Sequence, residues 1–141
     1  MELRGRSILV MGMGRSGVSA ARYAVSAGGR VRVTDLNPDA PRIEGAEHTY
    51  GQHVESEFTE ADLIIVSPGI PAAAPTLLAA QKAGVRVVSE LAFAAEIIQA
   101  RGIPIIAVTG TNGKSSVTCF VGQLIEAAGF TVFVGGNIGR A

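Results

Sequence analysis

The stretch Ser7-Ile8-Leu9-Val10-Met11-Gly12-Met13-Gly14-Arg15-Ser16-Gly17 decides how this chain folds. Ile8 to Met11 is a continuously apolar run, the pattern of a strand covered on both faces of a sheet. The glycines behind it match G-x-G-x-x-G, and they open an Ala-rich helical stretch from Ser16 to Ala27. In such a strand, turn and helix, Gly12 permits the tight turn and Gly14 lets backbone approach a phosphate. Gly17 lets helix pack on strand, and the helix amino terminus faces the anion.

The same alternation recurs along the chain. Arg30 to Thr34, Leu63 to Val66 and Ile105 to Val108 read as further strands, and Thr76 to Ala83, Glu90 to Ala100 and Ser115 to Ala128 as helices. Strands alternating with helices make βαβ units, so the expected fold is α/β, a Rossmann-like parallel sheet with helices on both faces. Gly28-Gly29, Gly84, Gly102 and Gly129 stand where helices should end. Residues 37–60 carry two prolines, two histidines and no sustained period, and read as loop with a short strand near His48 to Tyr50 and one helical turn. Leu77, Leu78, Leu91, Ile97 and Ile98 are expected on core faces, and Cys119 as a small buried residue.

Composition narrows the function. Twelve basic residues balance twelve acidic ones in 141, and only 17% are charged, so no sustained positive field is present for nucleic acid or an anionic membrane. No segment reaches the roughly 18–20 apolar residues of a membrane span, and the amino terminus lacks a signal peptide's apolar core. A single Cys cannot form an internal disulfide, in keeping with a cytoplasmic location.

Asp35 ends the second strand about 20 residues beyond the first glycine loop, where a carboxylate can accept hydrogen bonds from a ribose or a base. A second turn, Ser67-Pro68-Gly69-Ile70-Pro71, closes the strand Leu63 to Val66 and should border the same crevice. These features admit either NAD, with an oxidoreductase as the consequence, or another nucleotide. A non-catalytic nucleotide-binding module is a third reading.

The second glycine loop, Thr109-Gly110-Thr111-Asn112-Gly113-Lys114-Ser115-Ser116, leads from the apolar run into a helix. This is a variant P-loop, departing from G-x-x-x-x-G-K-[ST] where Val108 replaces the first glycine. Amides of Gly110 to Ser116 would wrap the phosphates of ATP, Lys114 would reach the β and γ phosphates, and the Ser115 hydroxyl would ligate Mg2+. After Lys114 the only acid is Glu126, about three helical turns on, so the catalytic set is incomplete. A boundary near Gly102-Ile103-Pro104 separates residues 1–102 from 103–141. The latter read as the first βαβ of a P-loop ATPase domain, with Thr131 to Val134 as its second strand, cut short.

Two such loops in tandem resemble the Mur ligases of bacterial peptidoglycan synthesis. The likeness rests on Gly12 to Gly17, Asp35, Ser67 to Pro71, Ser89-Glu90-Leu91, Ala107 to Ser116 and Gly135-Gly136-Asn137-Ile138-Gly139, and it favours the D-glutamate-adding branch. The resemblance implies that the first loop binds the UDP of UDP-N-acetylmuramoyl-L-alanine, with Gly14, Arg15 and Ser16 near the nucleotide and Asp35 and Leu36 near the uracil. Ser67, Pro68 and Gly69 would line the site, and Asn137 would approach the diphosphate. It further implies ATP-dependent addition of D-glutamate through an acyl phosphate, by a monomer, with residues 1–102 as the uridine-substrate domain. The family's acidic, histidine and carbamylated-lysine groups have no counterpart here, so the chain alone is expected to be inactive. His48 and His53 show no metal-ligand spacing, and Arg4 and Arg6 read as solvated.

Overall fold

A computed structural model describes residues 2–136, and the chain divides after Ile103 into two compact units. The first holds strands β1 (Ser7–Met11), β2 (Arg30–Asp35), β3 (Ala46–Tyr50), β4 (Leu63–Val66) and β5 (Arg86–Ser89). Helices α1 (Arg15–Ser26), α2 (Glu55–Thr59), α3 (Pro75–Lys82) and α4 (Glu90–Ala100) connect or follow them. All four strand pairings are parallel, in the order β3-β2-β1-β4-β5. This is the Rossmann-like sheet expected from the alternation of strands and helices.

Side chains on a strand alternate between faces, so each apolar strand must be covered twice. On one face Ile8, Val10, Val31, Val33, Leu63 and Ile65 pack with Ala20, Ala21 and Ala24 of α1 and Phe93 of α4. The alanines let α1 lie close to the sheet. On the other face Leu9, Met11 and Ile64 meet Phe58 of α2 and Leu77 and Ala80 of α3. Chain order reverses at β1, with β2 and β3 on one side and β4 and β5 on the other, which opens a crevice at the strands' carboxyl ends.

Two features of this unit depart from expectation. Strand β5, Arg86-Val87-Val88-Ser89, is not announced by the sequence, because four residues between Ala-rich helices carry little periodic signal. Leu78 and Leu91 were expected in the core but are 42% and 73% exposed; α4 instead buries Phe93, and α3 buries Leu77 and Ala80. The helix boundaries have local causes. The Ser89 side chain accepts from the Ala92 amide at 3.2 Å and caps α4, and the expected helix-ending glycines 28, 84, 102 and 129 all have positive φ.

The second unit contains α5 (Lys114–Ala127). Neither Ile105 to Val108 nor Thr131 to Val134 forms a strand, which corrects the expected βαβ. Strand backbone needs a hydrogen-bonded neighbour, and among the described residues neither run is paired with one. Val134 instead crosses α5 at its buried glycine, where a Cβ on Gly122 would stand 2.5 Å from the valine methyl. Phe120 and Leu124 of the same helix are exposed, and Cys119 is exposed rather than buried.

Candidate functional site

The carboxyl ends of β1, β2 and β4 bring Gly14, Arg15, Ser16, Asp35, Leu36, Ser67, Pro68 and Gly69 to one edge of the sheet. Strand β1 runs into the loop through Gly12, whose φ of +90° an L side chain resists. A Cβ there would also meet Ile70 Cδ1 at 2.8 Å. Gly17 is more constrained still, since a Cβ would stand 1.9 Å from the Gly12 carbonyl oxygen and 2.6 Å from Ser67 Oγ. Gly14, by contrast, faces open space. It is the N-cap of α1 with no side chain capping the helix, and no acid occupies the first turn. Gly12 thus serves the turn and Gly17 the helix packing, while Gly14 leaves the start of α1 uncovered.

Asp35 and Ser67 are both turned toward the loop itself. Asp35 Oδ2 accepts from the Met13 amide at 2.6 Å, and Oδ1 accepts from the Asn37 amide at 2.8 Å. The Ser67 hydroxyl donates to the Gly12 carbonyl at 2.7 Å, and the residue is 8% exposed. Leu36, next to Asp35, is 63% exposed and offers a bare apolar surface at the end of β2. The segment after it is pinned to β3. Tyr50 donates to the Pro41 carbonyl at 2.6 Å, and His48 Nε2 accepts from the Ile43 amide at 2.9 Å. Burial pushes the Tyr50 hydroxyl above its usual range; Arg42 opposes the shift and Asp35 adds to it.

Residues that sequence reasoning passed over complete the wall. Thr34 is fully buried, gives its carbonyl to the Gly12 amide at 2.9 Å, and has its hydroxyl 2.8 Å from His53 Nδ1. A polar residue at the end of an apolar strand was the available signal. Among the described residues no group of three His, Cys, Asp or Glu side chains could hold a metal ion. Arg4 and Arg6 line a cavity of about 570 Å3 with Glu2, Arg86, Glu96 and Gln99, beside the amino ends of β1 and β5 and away from the glycine loop.

In the second unit the loop before α5 turns at Gly110 (φ +152°) and Gly113 (φ +74°), the latter serving as N-cap. Thr111 to Ser116 are exposed, and Lys114 folds back onto its own loop, donating to the Gly110 carbonyl at 2.6 Å and to that of Thr111 at 3.2 Å. A Cβ on Gly113 would meet nothing, so the cradle is open. These residues fit a polyphosphate, with Ser115 as a single hydroxyl for a divalent cation. Asn137 lies outside the described residues.

The family model for the Mur ligase MurD-like N-terminal domain matches residues 6–89, the segment that carries the first glycine loop, Asp35 and Ser67. The chain belongs to the MurD-like Mur ligases. Curated relatives of this MurD-like chain include the UDP-N-acetylmuramoylalanine–D-glutamate ligases of Chromobacterium violaceum and Geobacter metallireducens. The first is 45% identical over 100% of the chain and 33% of the relative; the second is 41% identical over 99% and 32%. The MurD-like chain therefore spans about a third of the length of these relatives. Among solved structures, the type C pseudomurein peptide ligase of Methanothermus fervidus aligns with TM-score 0.56 and 23% identity, over 95% of this chain and 29% of that one. The UDP-N-acetylmuramate-alanine ligase of Thermotoga maritima aligns with TM-score 0.56 and 24% identity, over 93% and 32%. These two likenesses are of fold. No helix among the described residues is long and apolar enough to cross a membrane.

Proposed function

We propose that this chain supplies the uridine-nucleotide-binding unit and the ATP loop of a cytoplasmic peptidoglycan-precursor ligase, one that joins D-glutamate to UDP-N-acetylmuramoyl-L-alanine. The observation that carries this reading is the first glycine loop at the sheet's switch point, within a segment matched by the MurD-like family model and in a chain 45% identical to a D-glutamate ligase. The open amino terminus of α1 receives the diphosphate through Gly14, Arg15 and Ser16. Asp35 and Leu36 border the base, Ser67, Pro68 and Gly69 form the facing wall, and Asn137 approaches the diphosphate. Residues 1–102 form this substrate domain and 103–141 the beginning of the ATP-binding one.

A carboxylate is a poor acyl donor to an amine, and ATP with Mg2+ supplies the phosphoryl group that makes it a good one, leaving ADP. The residues for that step in this chain are Gly110 to Ser116. Lys114 places a positive charge beside the phosphates, Ser115 offers a hydroxyl to the metal, and the loop amides orient the chain of phosphates. In this reading the chain by itself binds nucleotide without forming ADP.

Calorimetric titration of the chain with UDP-N-acetylmuramoyl-L-alanine, UDP and NAD tests the proposal. Binding of both uridine compounds with none of NAD is expected. NAD binding without uridine binding would replace the ligase reading with an oxidoreductase one, and ADP release dependent on the muramoyl substrate and D-glutamate would refute the inactivity of the chain alone.

A further inference from the structure

The two contacts that Ser67 and Asp35 make with the first glycine loop fall on one and the same peptide unit. The carbonyl that accepts from Ser67 Oγ at 2.7 Å belongs to Gly12, and the amide that donates to Asp35 Oδ2 at 2.6 Å belongs to Met13, so the Gly12–Met13 peptide is held at both ends. A trans peptide points its carbonyl and its amide in opposite directions. The holders accordingly come from opposite neighbours of β1: Ser67 follows β4, and Asp35 ends β2.

Main-chain bonds lead up to this point. The Gly12 amide donates to the Thr34 carbonyl and the Ser67 amide to the Met11 carbonyl, each at 2.9 Å. At the next peptide two side chains take over where strand backbone stops, extending the ladder by one rung. Asp35 is itself oriented by the Asn37 amide on its other oxygen. Ile70 and Ser67 close off the space beside the Gly12 α-carbon.

The alternative orientation is unfavourable on both sides. Turning the peptide over would set the Gly12 carbonyl against the Asp35 carboxylate and leave the buried Ser67 hydroxyl without its acceptor. It would also swing a carbonyl dipole toward a turn whose amides must face an anion. We propose that Ser67 and Asp35 are positioning residues that fix the orientation of the Gly12–Met13 peptide, and through it preorganise the turn for the diphosphate of a uridine nucleotide. This rests on the function proposed above. It assigns to Ser67 a task on the protein's own backbone, distinct from lining the ligand.

The test compares the intact chain with Ser67→Ala, Ser67→Thr, Asp35→Asn and the Ser67→Ala/Asp35→Asn double variant. Two readouts are taken: hydrogen exchange at the Met13 amide without ligand, and the Kd for UDP by calorimetry. Ser67→Ala leaves the Asp35 bond in place, yet it is expected to speed exchange at Met13 and weaken UDP about tenfold each, because a peptide held at one end can pivot. Ser67→Thr, which keeps the hydroxyl, restores both, and the double variant is scarcely worse than the weaker single one, the non-additivity of residues acting as a unit. Unchanged Met13 exchange in Ser67→Ala, whatever happens to UDP, overturns the proposal, as does simple additivity in the double variant. If Ser67→Ala does not fold, Asp35→Asn and Ser67→Thr decide by the same two readouts. An intact chain that binds no UDP sinks the functional reading alone, since the exchange measurement judges the peptide's holders without any ligand.

Discussion

The Lys114 ammonium donates to the Gly110 carbonyl oxygen at 2.6 Å, four residues back along the chain. A lysine whose charge is held by its own loop's carbonyls is prepositioned over the space the loop encloses, and the loop in turn keeps its curvature through that bond. On the function proposed above, an entering phosphate would exchange these neutral carbonyl contacts for a full opposite charge.

Replacement of Lys114 by Met keeps the stem and removes the charge. ATP affinity of the chain should fall at least tenfold, and in a ligase carrying the complete catalytic set kcat should fall on the order of 100-fold, the loss typical of one preorganised charge-stabilising donor. Calorimetry and a steady-state ADP assay measure the two. Retained ATP binding by Lys114→Met would show that the ammonium does not serve the phosphates.

Gly17 and Gly14 lie three residues apart and should respond in opposite ways to one added methyl. Gly17→Ala places a Cβ 1.9 Å from a backbone oxygen, and overpacking against main chain should cost about 3 kcal/mol, lowering Tm by roughly 15 °C. Gly14→Ala enters open space and should cost less than about 1 kcal/mol, while weakening UDP because the methyl occupies the phosphate's approach. Thermal melts with and without UDP separate the two effects.

Tyr50 gives a pH dependence of definite sign. Burial raises its hydroxyl pKa in the folded chain, so the folded state holds the proton more tightly than the unfolded state. The resulting stability is fully present below the unfolded value of about 10 and is lost as pH rises from there through the folded value. Melting temperature should therefore decline above about pH 10 in the intact chain. Tyr50→Phe should lose about 1 kcal/mol at neutral pH with its bond to Pro41, and show a shallower alkaline decline. An equally steep decline in both would assign the effect to other groups.

Leu36→Ser removes an apolar side chain that is 63% exposed and should leave stability within about 0.5 kcal/mol. If the base rests on that surface, UDP affinity falls while inorganic pyrophosphate competes as before. Equal affinities of the two proteins for UDP would move the base elsewhere.

What could be read from the chain was the part encoded locally. Ile8 to Met11 followed by Gly12, Gly14 and Gly17 specifies a strand, turn and helix within a dozen neighbouring residues, and the helix Glu90–Ala100 was legible because its Ala-rich run is closed by Gly102. Strand β5 was not legible, since its four residues are fixed by pairing with β4 rather than by their own pattern. The runs at 105–108 and 131–134 show the converse. Their β-branched composition is a preference that only a neighbouring strand can realise. At the site, the identities of Asp35 and Ser67 could be read, but their roles could not. Nothing in a linear spacing says that residues 35 and 67 touch opposite ends of one peptide.

That arrangement has a consequence for biosynthesis. The loop emerges early, at residues 12 to 17, yet the groups that set its shape are translated later, the last at Ser67. A nascent chain halted on the ribosome before β4 has left the exit tunnel would carry the glycine motif in full and still lack a shaped phosphate cradle. On the function proposed above, nucleotide capture should thus switch on abruptly during elongation, when β4 docks beside β1.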